Sequence, residues 1–125
     1  MVKVALSIDV PDVKSGTDFF TVGLGFQKLR DEPSGTAVLK AGDMEIWLLQ
    51  RDDGTVAVPE SNIQRTYKRH WTPIHLDVVV DDLKGALDRA ISAGAVQEGD
   101  ILTSEHSSMV FCSDPFGNGF CLIKE

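Results

Sequence analysis

His75 and Asp77 stand two residues apart in the run Ile74-His-Leu-Asp-Val-Val-Val80. In an extended strand that spacing puts both side chains on one face. An imidazole beside a carboxylate can do three things. It can hydrogen-bond in a cavity wall, act as a general base oriented by the acid, or ligate a metal. Cys121, between Phe120 and Leu122, adds a thiol, and Cys112 is the second cysteine. Two cysteines at this spacing make no zinc motif and read as reduced thiols. Trp47 offers a flat stacking surface, and Asp9 or Asp77 a carboxylate that attracts cations. G-x-S-x-G, H-E-x-x-H and a phosphate-binding glycine loop are all absent.

The elements that must position these groups form a repeat. Residues 74–80 are rich in β-branched side chains and read as a strand. Asp81 and Asp82 can cap a helix over 82–93, in which Leu83, Ala86, Leu87, Ala90 and Ile91 share one face. Gly94 stands where a helix commonly ends. Seventy positions earlier the pattern recurs: a strand over 2–10, Asp12 as a cap, and a helix to about Leu24 carrying Phe19 and Phe20. Gly16 weakens that helix by about 1 kcal/mol against Ala, so packing must hold it. Strands are expected at 26–30, 36–40 and 44–50 in the first half, and at 95–102, 108–113 and 119–124 in the second. The chain is two tandem βαβββ modules, an α+β fold. Module one is 1–50, module two is 73–125, and residues 51–72 link them within a single domain, 1–125. That connection carries Tyr67, His70 and Trp71 and reads either as a bridge or as a wall over a pocket.

Composition bounds the function. At 125 residues and 42% hydrophobic, the chain is sized for a packed core. No apolar run approaches the ~20 residues that cross a bilayer, and no signal peptide is recognisable, so the expectation is a cytoplasmic protein with no membrane partner. A net charge of −7 argues against nucleic acid.

The module order, the paired caps Asp12 and Asp82, Phe19-Phe20, Leu24-Gly25-Phe26 and the turn Asp114-Pro115-Phe116-Gly117-Asn118 together resemble the vicinal oxygen chelate superfamily. That superfamily holds glyoxalase I, extradiol dioxygenases, fosfomycin-inactivating transferases and bleomycin-resistance proteins. The resemblance spans nearly the whole chain. It implies modules that curl their mixed sheet into an open cup, with the ligand inside. In the enzymes, His or Glu residues on the first, fourth, fifth and eighth strands hold a divalent metal. Carried over, those positions are Ala5, Trp47, His75 and Cys121, with Glu45 as the alternative on the fourth strand. Ala5 offers no donor and an indole N–H cannot ligate. Two donors make a poor site where three are wanted. No metal or other cofactor is therefore expected.

On that carry-over the cup face bears Ser7, Asp9, Trp47, His75, Asp77 and Cys121 among apolar neighbours, with Trp71 nearby. The resemblance implies a glyoxalase/bleomycin-resistance-like protein that binds a small organic ligand, cationic or aromatic, without a metal, and assembles as a homodimer. The alternative is a metal-dependent lyase, isomerase or dioxygenase of the same superfamily. No catalytic residue is assigned.

Overall fold

In each half of the chain a strand leads into a helix, and the last strand of the half returns beside the first. The computed structural model describes residues 1–125, which divide into two units. One contains Met1–Thr21 and Gly25–Tyr67, the other Val22–Leu24 and Lys68–Glu125.

The first unit contains β1 (Ala5–Val10), α1 (Val13–Asp18), β2 (Gln27–Asp31), β3 (Ala37–Ala41) and β4 (Met44–Gln50). Its sheet runs β1-β4-β3-β2, with β1 parallel to β4 and the other pairs antiparallel. Asp12 caps α1 by accepting from the Ser15 N–H at 2.9 Å. Gly16 lies against Val10 so closely that an added Cβ would stand 3.0 Å from a Val10 methyl. The glycine that weakens the helix therefore also lets it sit on β1. Val10, Ile46, Leu48 and Leu39 are buried at 0–1% exposure. Fully burying each such side chain is worth about 1.5–3 kcal/mol.

The second unit contains β5 (Leu76–Val79), α2 (Leu83–Ser92), β6 (Val96–Gln97), β7 (Leu102–Thr103), β8 (Ser108–Ser113) and β9 (Gly119–Lys124). Its sheet runs β5-β9-β8-β6, with β7 also on β8. Again the outer pair, β5 and β9, is parallel. Asp82 caps α2 through the Gly85 N–H, and Leu83, Ala86, Leu87 and Ala90 are its buried stripe. Phe120, Leu122 and Val110 supply buried apolar bulk in the sheet.

The tandem α+β modules are as the sequence implies, each with its own mixed sheet. The helix expected to run to Leu24 is α-helical only to Asp18 and continues as a π-helical turn, Phe19–Gly23. The Thr17 and Thr21 hydroxyls donate to the carbonyls of Val13 and Thr17. Such back-bonding bends helices. The strand expected at 95–102 is two fragments, because the pairing ends where the Glu98 N–H reaches the Phe111 carbonyl and Gly99-Asp100 leaves the sheet. The strands at the two module openings are shorter than expected, starting at Ala5 and Leu76.

The connection is ordered by its own bonds. Gly54 and Ala57 N–H groups donate to Arg65 and Ile63 carbonyls, and Arg65 returns a bond to Thr55, giving an irregular hairpin. The Tyr67 hydroxyl donates to the Arg51 carbonyl at 2.6 Å. Further on, His70 bridges Asn118 in parallel fashion. No helix is long and apolar enough to cross a membrane.

The turn between β8 and β9 hangs on one carboxylate. Asp114, 8% exposed, accepts from the Phe116 N–H at 2.8 Å, the Asn118 N–H at 2.9 Å and the Asn118 amide at 3.0 Å. Burial pushes its pKa up, while these bonds pull it down. Asp114→Ala leaves two backbone donors and one amide without their acceptor. Chemical denaturation should show a loss of about 1–3 kcal/mol.

Candidate functional site

In the second unit the site starts with strand register. Asp77 pairs with Cys121 in the parallel β5–β9 ladder, and Cys121 pairs with Phe111 in the antiparallel β8–β9 ladder. Paired residues leave the sheet on the same side. Leu76, Phe120 and Leu122 leave on the other. His75 precedes β5 by one residue and keeps the phase of Asp77. Its Nδ1 is 3.1 Å from Asp77 Oδ1. The ligand-type atoms of His75, Asp77 and Cys121 all lie within 4.8 Å of one another.

Trp71 covers this group. Its ring centroid is 4.8 Å from that of His75, and it meets Phe111 edge-on at 5.8 Å. Arg69 lies over the indole at 5.7 Å and pairs with Glu98, its Nε 2.5 Å from the carboxylate. That bond from Arg69 is the main reason the Glu98 carboxyl is held below its ordinary value. Gly119 makes the arrangement possible, since a Cβ there would run into the Trp71 ring. Burial first, then the adjacent Asp77 carboxylate, push the Cys121 thiol up to about 11, so metal-free Cys121 stays protonated at neutral pH.

The first unit shows the matching register with different chemistry. Ser7 pairs with Trp47, and Asp9 with Leu49. Trp47 thus occupies in its module the place that Cys121 occupies in the other, as the repeat implies. Its face is opposite to that of Ile46 and Leu48, and the indole is not under α1. The Trp47 N–H donates to Glu45 at 3.1 Å. This bond does most to lower the Glu45 pKa, helped by Lys3 at 3.3 Å and Arg30 at 3.7 Å. Arg30 also stands 5.5 Å over the Trp47 ring.

The residues singled out in the sequence therefore fall into two groups. His75, Asp77, Cys121 and Trp71 are together in the second unit. Ser7 and Trp47 are together in the first. Asp9, read as a cation attractor, is already paired with Arg65 at 2.8 Å. Of the connection's other candidates, Tyr67 is engaged with Arg51, and the His70 ring is exposed with Nδ1 at 2.9 Å from the Lys68 carbonyl. The count of two metal donors in the sequence left out Asp77, which the register brings beside Cys121. Phe111, Arg69 and Arg30 were missed as well. The period-two pattern of 108–113 could have found Phe111. No local signal reports the arginines, whose partners are set by tertiary structure.

Residues 5–123 match the family described as "Glyoxalase-like domain". No curated protein matches the chain in sequence. Among solved structures, the hypothetical protein SA1046 from S. aureus superposes with a TM-score of 0.74 at 13% identity, covering 100% of this chain and 98% of its own. The fosfomycin resistance protein FosX from Mesorhizobium loti gives 0.71 at 14% identity, covering 100% and 94%. A member of the glyoxalase/bleomycin resistance protein/dioxygenase superfamily from Sphaerobacter thermophilus gives 0.66 at 19%, covering 99% and 98%. At these identities the likeness is one of fold.

The seat of Trp71 on Gly119 has a direct consequence. In a Trp47→Phe background Trp71 is the only tryptophan. Gly119→Ala should unseat it and move its emission to longer wavelength. An unchanged emission maximum would show that the ring does not rest there.

Proposed function

The chain belongs to the family of glyoxalase-like domains, and on that premise we propose that it binds a small organic molecule on the helix-free faces of its sheets. The observation that carries this reading is the Trp71 ring against His75 and Phe111, beside the half-exposed Asp77 carboxylate. An aromatic wall with a few convergent polar groups is the usual make-up of a small-molecule site. Asp77 gives the surface a preference for cationic or hydrogen-bond-donating ligands. Trp47, with Ser7 beside it, is the corresponding surface of the first unit, and a cationic ligand there has to compete with Arg30 for the ring face. Asp9 enters only by releasing Arg65, and Cys121 contributes as a buried floor. Sequestration through such contacts requires no metal.

A second reading is an enzyme of the same superfamily, a lyase, isomerase or dioxygenase. The 3.1 Å approach of Asp77 to His75 Nδ1 favours it, because an acid in that position orients an imidazole as a general base. A compound recovered unchanged after prolonged incubation supports binding. Conversion that is lost in His75→Ala supports the enzyme.

The binding test is tryptophan fluorescence with a panel of planar organic cations. A bound ring should quench Trp71, read in Trp47→Phe, or Trp47, read in Trp71→Phe. Replacing the quenched tryptophan by Ala should weaken binding by about 1–3 kcal/mol. Saturable quenching by no member of the panel would sink the reading.

The protein is further proposed to act in the cytoplasm as a homodimer. Exposed Val79 and Val96 lie on β5 and β6, the outer strands of the second unit's sheet, and unprotected sheet edges favour pairing. Light scattering at micromolar concentration should give twice the 13.6 kDa chain mass. A single species at the chain mass would count against it.

A further inference from the structure

Strand register lays two rows side by side on the helix-free face of the second unit's sheet. The first is Asp77, Cys121 and Phe111, on β5, β9 and β8. The second comes two residues further along, about 7 Å away. In it Val79 on β5 pairs with Ile123 on β9, Ile123 with Met109 on β8, and Met109 with Leu102 on β7. This row is apolar throughout. With neighbouring strands about 4.8 Å apart, it runs about 14 Å across the sheet. Val79 and Leu102 are 56% and 53% exposed, and Ile123 and Met109 are half-buried.

We propose that this face binds a primary organic amine with a long apolar body, its ammonium at Asp77 and its body along the row from Val79 to Leu102. The inference rests on the reading that the second unit binds a small organic molecule, and it names the class.

Single hydrophobic side chains on a surface need no explanation, whereas an unbroken apolar patch marks an interaction site. The backbone plan does not demand this row. At the place of Val79 the first module has Asp9, which pairs with Leu49 as Val79 pairs with Ile123, and which is held by Arg65. The same sheet position can therefore be charged and partnered. In the second unit it is apolar and open to solvent.

Charge selects the head group. Asp77 is 50% exposed, and no lysine or arginine pairs with it. Glu98, the other carboxylate near Trp71, is closed by Arg69. A carboxylate has lone pairs beyond those that His75 and Cys121 engage, and an ammonium brings three N–H donors. Phe111 ends the row that Asp77 begins and adds apolar surface beside the chain of the ligand. An alcohol lacks the charge, a carboxylate is repelled by Asp77, and a compact cation leaves the apolar row wet. A second copy of the chain is the rival occupant. Two-fold docking of this face on itself would bury Asp77 from both copies, which disfavours it.

Calorimetric titration of the full-length protein with n-octylamine, n-butylamine, 1-octanol and octanoate gives the test. We expect one n-octylamine per chain, with n-butylamine about 10- to 100-fold weaker because it buries fewer methylenes. 1-Octanol should bind about 10-fold more weakly than the amine of equal length, and octanoate not detectably. Asp77→Asn should abolish the preference for amine over alcohol. Leu102→Gln, at an exposed position, should weaken n-octylamine about 3- to 10-fold and leave n-butylamine unchanged. Equal affinities for the two amines, an amine preference that persists in Asp77→Asn, or an unaltered n-octylamine affinity in Leu102→Gln would each overturn the proposal. So would a halving of the mass of Leu102→Gln in light scattering, which would make the row a subunit interface. If planar cations quench Trp71 while n-octylamine does not bind, this inference falls and the binding reading stands. If neither binds, both fall.

Discussion

Both halves of the chain depend on the parallel pairing of their first and last strands. β1 lies beside β4 and β5 beside β9, each with the helix between them in sequence. Parallel neighbours need a crossover, and a helix supplies it. Once the helix covers one face, period two decides everything else. Val10, Ile46 and Leu48 must go under α1, so Ser7 and Trp47 must leave on the other side. By the same rule Phe120 and Leu122 lie opposite to Asp77 and Cys121. A slip of one residue in either pair would bury carboxylates and expose leucines, which costs far more than any single contact.

This constraint is why so much of the fold can be read from the residues. Caps, glycines and alternation are local signals, and they set α2, β4, β8 and β9 correctly. The residues that lie together follow from them, because His75 with Asp77 and Trp47 with Glu45 are fixed by spacing alone. What could not be read is where energy depends on remote partners. The π-helical turn at Phe19–Gly23 arises where two threonines bond backward and α1 must end. The break after Gln97 coincides with Glu98 being held by Arg69, twenty-nine positions away. The proximity of Asp77 to Cys121 needs the β5–β9 register, which the repeat implies but no local pattern states.

Electrostatics then sorts the acidic groups. The chain carries 19 Asp and Glu against 12 Lys and Arg, and three of its five arginines are paired with particular carboxylates. Arg30 takes Glu32 and Glu45, Arg65 takes Asp9, and Arg69 takes Glu98. Arg69 engages both Glu98 oxygens in a fork, whereas Arg30 and Arg65 reach Glu32 and Asp9 through Nε alone. Asp77 is different: its partners are the His75 imidazole and the Cys121 thiol, not a guanidinium. Among carboxylates on the helix-free faces, it is the one that remains available to an incoming positive charge.

The two modules use one backbone plan for unlike purposes. At equivalent places one has Ala5, Ser7 and Trp47 and the other His75, Asp77 and Cys121. An indole whose N–H is given to Glu45 and whose face is shared with Arg30 is a finished, rigid surface. It can stack but has no donor to lend. The second set is the reverse, with three polar groups in contact with one another, the Asp77 carboxylate lying 3.1 Å from the His75 Nδ1 and accepting from the Cys121 thiol. A symmetric pair of modules would divide a metal's ligands between them. Here the asymmetry leaves the first module with an aromatic surface alone, while the second sets aromatic rings and polar groups side by side.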